Sequence, residues 1–386
     1  MGERPFKISG DFMKKSLKVF LLLLFFLFGN RTLASSYCAK VFRILGQSHR
    51  PAKEIPSLKV GTFNLLDFGP KKNGDHVKAI ANAIRENNPD ILALQEVQNF
   101  EFLQDFVNHE LGGKYDILMT TLPEKQSIQN AFLVKRDLPF IFDIESHAHE
   151  MWRDPTKEGN LATALFPRDV PVLKVMRPED HDAQPFLLMM GTHLKSKMNR
   201  NGDHESRILR KAQAERAAEI IGRYQQKFGG RAAMMMLGDF NGNVLAEPEY
   251  VALRNTLRLS DALAVEPVPS TQLQRVTHVF QDRNGQMVRS QIDYVLLDAK
   301  LRAALIEGDV YRYKDKNGIT REVPQNLEAR AENPSDHFPY FVQLHFQQIY
   351  SQTGRQPQNF FDVEGTIPIF RSEFLNRVNS VALPAL

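Results

Sequence analysis

Residues 58–97 read LKVGTFNLLDFGPKKNGDHVKAIANAIRENNPDILALQEV, and the apolar period changes twice along them. Leu58 to Leu66 is an apolar-rich run that reads as a strand. From Asp75, placed as an N-cap, Val77, Ile80, Ala81 and Ile84 recur at helical spacing, and Asn88-Pro89 stops the helix. Ile91 to Leu94 is then a short continuous apolar run, the signature of a buried strand. A strand-helix-strand unit of this kind belongs to the α/β class, and it sets Asn64 and Glu96 near adjacent strand ends.

The same reading extends outward. A second helix is expected from about Asp203 to Phe228, with Ile208, Ala212, Ile220 and Tyr224 on its buried face and Gly229-Gly230 as its stop. Ala232 to Leu237 follows as a strand. No internal repeat or low-complexity tract interrupts the pattern, so residues 57–346 are expected to form one large α/β domain rather than two small ones. Residues 145–160, 265–290 and 312–334 are polar and punctuated by Pro or Gly, and read as loops or hairpins where substrate preference would reside.

Six polar strings interrupt the strands in order: TFNLLDF around Asn64, LALQEVQ around Glu96, GTHLKSK around His193, LGDFNGN around Asp239 and Asn241, QIDYVLL around Asp293, and PSDHFPY around Asp336 and His337. Each places a carboxylate, amide or imidazole beside a buried strand, where a rigid scaffold holds functional groups. Oxygen donors with imidazoles suit a hard divalent cation and a phosphate ester. Taken singly, a strand-end acid is more often a salt bridge and an Asp-Asn pair a turn.

Together and in this order, the strings resemble the endonuclease/exonuclease/phosphatase superfamily. The resemblance implies a four-layer α/β sandwich, with two mixed β-sheets packed face to face and helices outside. It also implies a magnesium-dependent phosphoesterase, with manganese as an alternative metal. Glu96, Asn64 and Asp336 become the expected metal residues. Asp239 would position or deprotonate the attacking water, Asn241 would hold a phosphate oxygen, and His337, oriented by Asp293, would stabilise the transition state. His193 matches the histidine of the deoxyribonuclease I and sphingomyelinase branches and would assist departure of the leaving oxygen. Arg168 is a further phosphate candidate; Lys195, foremost, with Lys197, Arg207 and Arg210, either supplies positive charge for phosphate or belongs to a solvated face. Tyr294 reads as packing, and His76, His109, His147, His149 and His181 as surface or core.

Residues 13–36, MKKSLKVFLLLLFFLFGNRTLASS, have a basic start, an apolar run from Val19 to Phe28 and then small residues. The run is about half the roughly 20 residues a membrane span needs, which is the plan of a secretory signal peptide cleaved after Ala34 or Ser36. Tyr37 before Cys38 argues against a lipid anchor, and a single cysteine allows no intramolecular disulfide. Residues 37–56 would be a linker and 347–386 a C-terminal extension without assigned role. The first 36 residues hold six of the 49 basic and two of the 45 acidic residues, so the remainder is balanced. Net charge therefore implies no large nonspecific nucleic-acid footprint.

The expectation is a secreted or periplasmic, monomeric phosphodiesterase acting as a DNA endonuclease. Its rivals are a sphingomyelinase-type phospholipase, an inositol polyphosphate phosphatase, and a noncatalytic binding or toxin-like module on the same fold.

Overall fold

The computed structural model describes residues 55–353, apart from 122–126, 158, 160–161, 179–183, 201 and 266–270. The signal-peptide reading, Cys38, His181 and nearly all of the C-terminal extension lie outside the described residues. In chain order the elements are β1 (Ser57–Phe68), α1 (Gly74–Asn87), β2 (Ile91–Val97), α2 (Phe100–His109), β3 (Tyr115–Leu118), β4 (Gln129–Lys135) and β5 (Ile141–Glu145). A two-stranded pair, β6 (Met151–Arg153) and β7 (Ala162–Ala164), precedes β8 (Val172–Met176), β9 (Leu187–His193), α3 (Arg207–Lys227) and β10 (Ala233–Asp239). The chain continues through β11 (Ser260–Asp261), a hairpin of β12 (His278–Gln281) and β13 (Met287–Ser290), β14 (Asp293–Leu297) and α4 (Ala299–Ala303). It ends with β15 (Leu305–Val310), α5 (Leu327–Ala331), β16 (Tyr340–His345) and α6 (Phe346–Gln352).

Two six-stranded mixed sheets result, ordered β15-β16-β1-β2-β4-β3 and β11-β14-β10-β9-β8-β5. Each contains one parallel pair, β1 with β2 and β9 with β10, flanked by an antiparallel strand, β16 or β14. A helix crossover is what a parallel pair requires, and α1 and α3 lie on those two connections. The strand period of two divides the second sheet between two cores. Leu187, Met189, Met235 and Leu237 join the first sheet's Val60, Leu92 and Val342 in one apolar cluster. Leu188, Met190, Met234 and Met236 pack instead with Ala214, Ala217 and Ile221 of α3. Ile80, Ile84, Leu103 and Phe106 of α1 and α2 extend the first cluster, completing the expected four-layer sandwich.

Two local readings are corrected. The cap of α1 is Asn73, whose side chain accepts from Asp75 N; Asp75 sits in the first turn, where a carboxylate meets the helix dipole. Ile208 is exposed in the first turn of α3, because that helix buries a face of small and polar residues, Ala214, Ala217, Ala218, Arg210 and Gln213, against the second sheet. The domain's packing also continues past residue 346: Phe346 closes an aromatic cluster with Phe140 and Phe186, centroids 5.3 and 5.5 Å away, and Ile349 and Tyr350 are buried in the same core.

Gly238 decides whether β9 and β10 can pair. Its φ is 143°, and a Cβ there would stand 2.0 Å from Thr192 O. Gly238→Ala should cost at least about 2 kcal/mol, because backbone rather than a side chain must move. A urea unfolding midpoint equal to wild type would show that the strands absorb the methyl.

Candidate active site

Chain direction gathers the polar strings. The parallel strands of each sheet end at the same edge as their antiparallel partner begins, so Asn64, Glu96 and His337 from one sheet meet His193, Asp239 and Asp293 from the other. In the second sheet the register is direct, with Asp239 opposite both His193 and Asp293.

Asp239 is the centre, with 2% of its surface exposed. Its Oδ2 accepts from Asn64 Nδ2 at 3.1 Å and Asn241 Nδ2 at 3.0 Å, and its Oδ1 from Asn241 N at 2.7 Å. His193 Nε2 and His337 Nε2 stand 3.6 and 3.9 Å from Oδ2. Burial pushes the Asp239 carboxyl up to about 7, with Asp293 adding and His337 opposing. Asn241 has a positive φ of 55°, which turns its amide back over Asp239 and onto Leu194 O at 3.0 Å.

His337 is held from three sides. Its Nδ1 lies 2.8 Å from Asp293 Oδ2, its backbone N donates to Ser335 Oγ, and Tyr313 donates its hydroxyl to the His337 carbonyl. Burial alone would lower its pKa, but Asp293, Asp239 and Asp336 together raise it to about 10. The ring is therefore an imidazolium at neutral pH. His193 is the opposite case. Burial, then Arg168, His337 and Lys195, hold its pKa well below the ordinary value, so it is a neutral imidazole. A neutral ring can donate an N–H to phosphate, but it is poorly suited to protonate a departing alkoxide, the part expected of it from the sequence.

Glu96 sits at φ 64°, at an irregularity where β2 leaves register with β1 and β4. That turn places Oε1 3.2 Å from Asn64 Nδ2 and 3.8 Å from His193 Nε2, while Oε2 accepts from Asp67 N. Asn64 turns its NH₂ to both carboxylates and uses its oxygen on Leu66 N at 3.1 Å. It therefore braces the two acids here instead of presenting an oxygen to a cation. Asp336 pairs with Arg330 at 3.0 Å and stands 3.7 Å from His278 Nε2. Burial would raise its pKa, but His278, His337 and Arg330 drive it down. Its Oδ1 is nevertheless buried without a hydrogen-bond partner among the described residues.

Lys72, not anticipated from the sequence, marks where these acids converge. Its ammonium donates to Leu65 O and Leu66 O, and burial lowers its pKa to about 8 against the opposing pull of Asp336, Asp67 and Glu96. An anionic oxygen on Asp336 without a hydrogen bond, in the cleft that Glu96 also lines, fits a hard divalent cation. Two groups of ligand-type atoms lie within 4.8 Å of one another, His278 with Asp336 and His337, and Asp239 with Asp293 and His337. Both depend on His337, whose Nδ1 is taken by Asp293.

The remaining candidates separate. Arg168 Nη1 donates to Leu194 O at 3.1 Å beside Asp239 and Glu96. Lys197 lines the cleft and pairs with Glu247, whereas Lys195 turns into a separate cavity. Arg210 is fully buried on Glu249 at 3.0 Å, and Arg207 pairs with Glu205, so neither faces phosphate here. Tyr294 packs, as expected, with its hydroxyl on Gln291 O. His278, unremarked in the sequence, stacks on Phe280 at 5.1 Å and lies tilted against the His337 ring at 4.5 Å. The cleft above these groups has a volume of about 810 Å³.

A family model, the Endonuclease/Exonuclease/phosphatase family, matches residues 61–337. The chain belongs to that family and is a phosphoesterase-type hydrolase. It is 26% identical over 196 residues to Nocturnin of Drosophila melanogaster, covering 48% of this chain and 27% of that protein. The chain thus matches about a quarter of the length of that relative. Among solved structures, the human Nocturnin catalytic domain with bound sulfate anion superposes with a TM-score of 0.50 at 19% identity, over 76% of this chain and 95% of that one. TDP2 of D. rerio complexed with single strand DNA product gives 0.50 at 15%, over 75% and 99%. These structural likenesses establish the fold.

A raised carboxyl has a consequence for stability. Between an ordinary value of 3.8 and about 7, folded Asp239 keeps a proton the unfolded chain has released, so its contribution to stability is present below that window and lost as pH rises through it. In chelator, Asp239→Asn should lose part of the fall in Tm between pH 5 and pH 8. Calorimetry finding the same fall in both proteins would give Asp239 an ordinary carboxyl.

Proposed function

We propose that the chain is an exported, magnesium-dependent phosphodiesterase that hydrolyses nucleic acid, with DNA as the expected substrate. The observation that carries the reaction is the triad of Asp239, His337 and Asp293 across the two sheet edges. A carboxylate near 7 is matched to taking a proton from water at neutral pH, which an ordinary aspartate is not. The His337 imidazolium, backed by Asp293, faces the charge that builds on phosphorus-bound oxygens. Neutral His193 and Arg168 hold the phosphate for in-line attack, while Asn241, its amide spent on Asp239 and Leu194 O, orients the carboxylate and not the phosphate expected of it from the sequence. Glu96 and Asp336 would hold the divalent cation, which supplies charge neutralisation at the phosphate when bound.

The substrate class is supported by the rim. Phe280, His278 and His337 form a run of stacked and tilted rings leading out of the cleft, and bases stack on such surfaces without sequence preference. A lipid substrate would favour an apolar hairpin tip; the β12–β13 hairpin turns through Asp282, Arg283, Asn284, Gly285 and Gln286. TDP2 of D. rerio, which shares the fold, holds a single strand DNA product, in keeping with this reading. Export rests on residues 13–36 alone.

Plasmid DNA, RNA, sphingomyelin and inositol phosphates assayed side by side should give turnover on nucleic acid first. Chelator should abolish it and magnesium or manganese restore it, and Glu96→Gln should raise the metal concentration needed; full activity in chelator would refute the metal reading. Asp239→Asn and His337→Ala should each lower kcat by more than about tenfold. His193→Ala should cost about 10²-fold or more, equally on DNA and on a nitrophenyl phosphodiester, because a phosphate-holding group serves both. A loss confined to DNA would restore His193 as the proton donor to the leaving oxygen.

A further inference from the structure

A second cavity, of about 340 Å³, opens behind the wall formed by Arg168 and His193, which line both spaces. It is at the small end of ligand-holding clefts, which run from about 300 to 1,000 Å³. Trp152 forms one side. It stands directly across the β6–β7 ladder from Thr163, also in the lining, and leans on the apolar core beneath α3. Four cations, Lys157, Lys195, Arg200 and Arg168, share the remaining lining with the apolar Phe166, Pro167 and Leu209.

Arg200 is aimed rather than loose. Its Nη2 donates to buried Asp154 at 2.6 Å, and Asp154 is itself fixed by the backbone N and hydroxyl of Thr156. The Nη1 of the same guanidinium makes no hydrogen bond among the described residues and stands 3.7 Å from Asp203 Oδ2, so the group is held between two buried acids. Lys195 Nζ has a single long contact, 3.3 Å to Ser196 Oγ. The one acid in the lining, Asp169, is consumed by His147 N, Val170 N and the hydroxyls of Thr120 and Thr121. An excess of positive charge with an indole wall selects a ligand that is both anionic and aromatic.

We propose that this cavity is a subsite for one nucleotide flanking the scissile phosphate, its base against Trp152 and its own phosphate between Lys195 and Arg200. The inference rests on the phosphodiesterase reading and narrows it, since a sugar phosphate or lipid headgroup would use the cations and leave the indole idle.

Trp152 is the only tryptophan in the chain, so its fluorescence reports on this cavity alone. Full-length protein in chelator should show saturable quenching with deoxyadenosine 5′-monophosphate. Deoxyadenosine, lacking the phosphate, and ribose 5-phosphate, lacking the base, should each bind about tenfold more weakly or less well still, and Lys195→Ala should weaken the nucleotide by about fivefold or more. Calorimetry on Trp152→Phe, an aromatic replacement, should retain most of the affinity, and on Trp152→Ala should lose it. Ribose 5-phosphate binding as tightly as the nucleotide would overturn the base assignment, and no saturable change with any of the three would overturn the subsite. Hydrolysis of bis(4-nitrophenyl) phosphate by the same preparation separates the two readings: hydrolysis without nucleotide binding sinks only the subsite, and its absence with metal present sinks the phosphodiesterase.

Discussion

The cost of burying Asp239 governs the catalytic edge. A carboxylate with almost no solvent contact is expensive in its charged form, and no single strand supplies enough partners to hold it. Asn64 arrives from the first sheet, Asn241 from the loop after the aspartate's own strand, and His193 and His337 from two more. The same demand locks the sheets together where the apolar interior ends. Asn64 to Asp239 and His337 to Asp293 both cross from one sheet to the other. Each is a polar bridge in a place where sliding by one residue would break both, because strand side chains alternate faces.

Catalytic competence and backbone strain coincide at this edge. Glu96 and Asn241 both occupy left-handed backbone, and Gly238 lets two backbones approach closer than any side chain would permit. Such conformations cost about 1–3 kcal/mol each and persist only where surrounding contacts determine them. The pairing of β9 with β10 and the bracing amide of Asn64 do that determining. Electrostatics then divide the two histidines. Equally buried, they differ because His337 touches Asp293 whereas His193 lies beside Arg168, so one ring is cationic and the other neutral.

What could be read from the sequence was whatever repeats locally. The β1–α1–β2 unit, the strand before Asp239 and the glycine stop of α3 at Gly229 and Gly230 follow from apolar period and turn chemistry, and each formed close to its expected bounds. The polar strings were legible because each interrupts an apolar run. Arg210 and Ile208 were misread because α3 buries alanines, a glutamine and an arginine where an apolar stripe would ordinarily lie. His278 and Lys72 had no local signal at all. His278 reaches the site through an isolated bridge to His337, 59 positions along the chain, and Lys72 through the carbonyls of Leu65 and Leu66 in β1 and through acids as distant as Asp336.

The pairing of Ser57 with His345 bears on how the molecule is presented. These residues are the first of β1 and the last of β16, so the chain enters and leaves the two-sheet body side by side, at the pole opposite the cleft. A polymer too long to enter the body can therefore lie across the cleft without meeting the start of β1 or the end of β16.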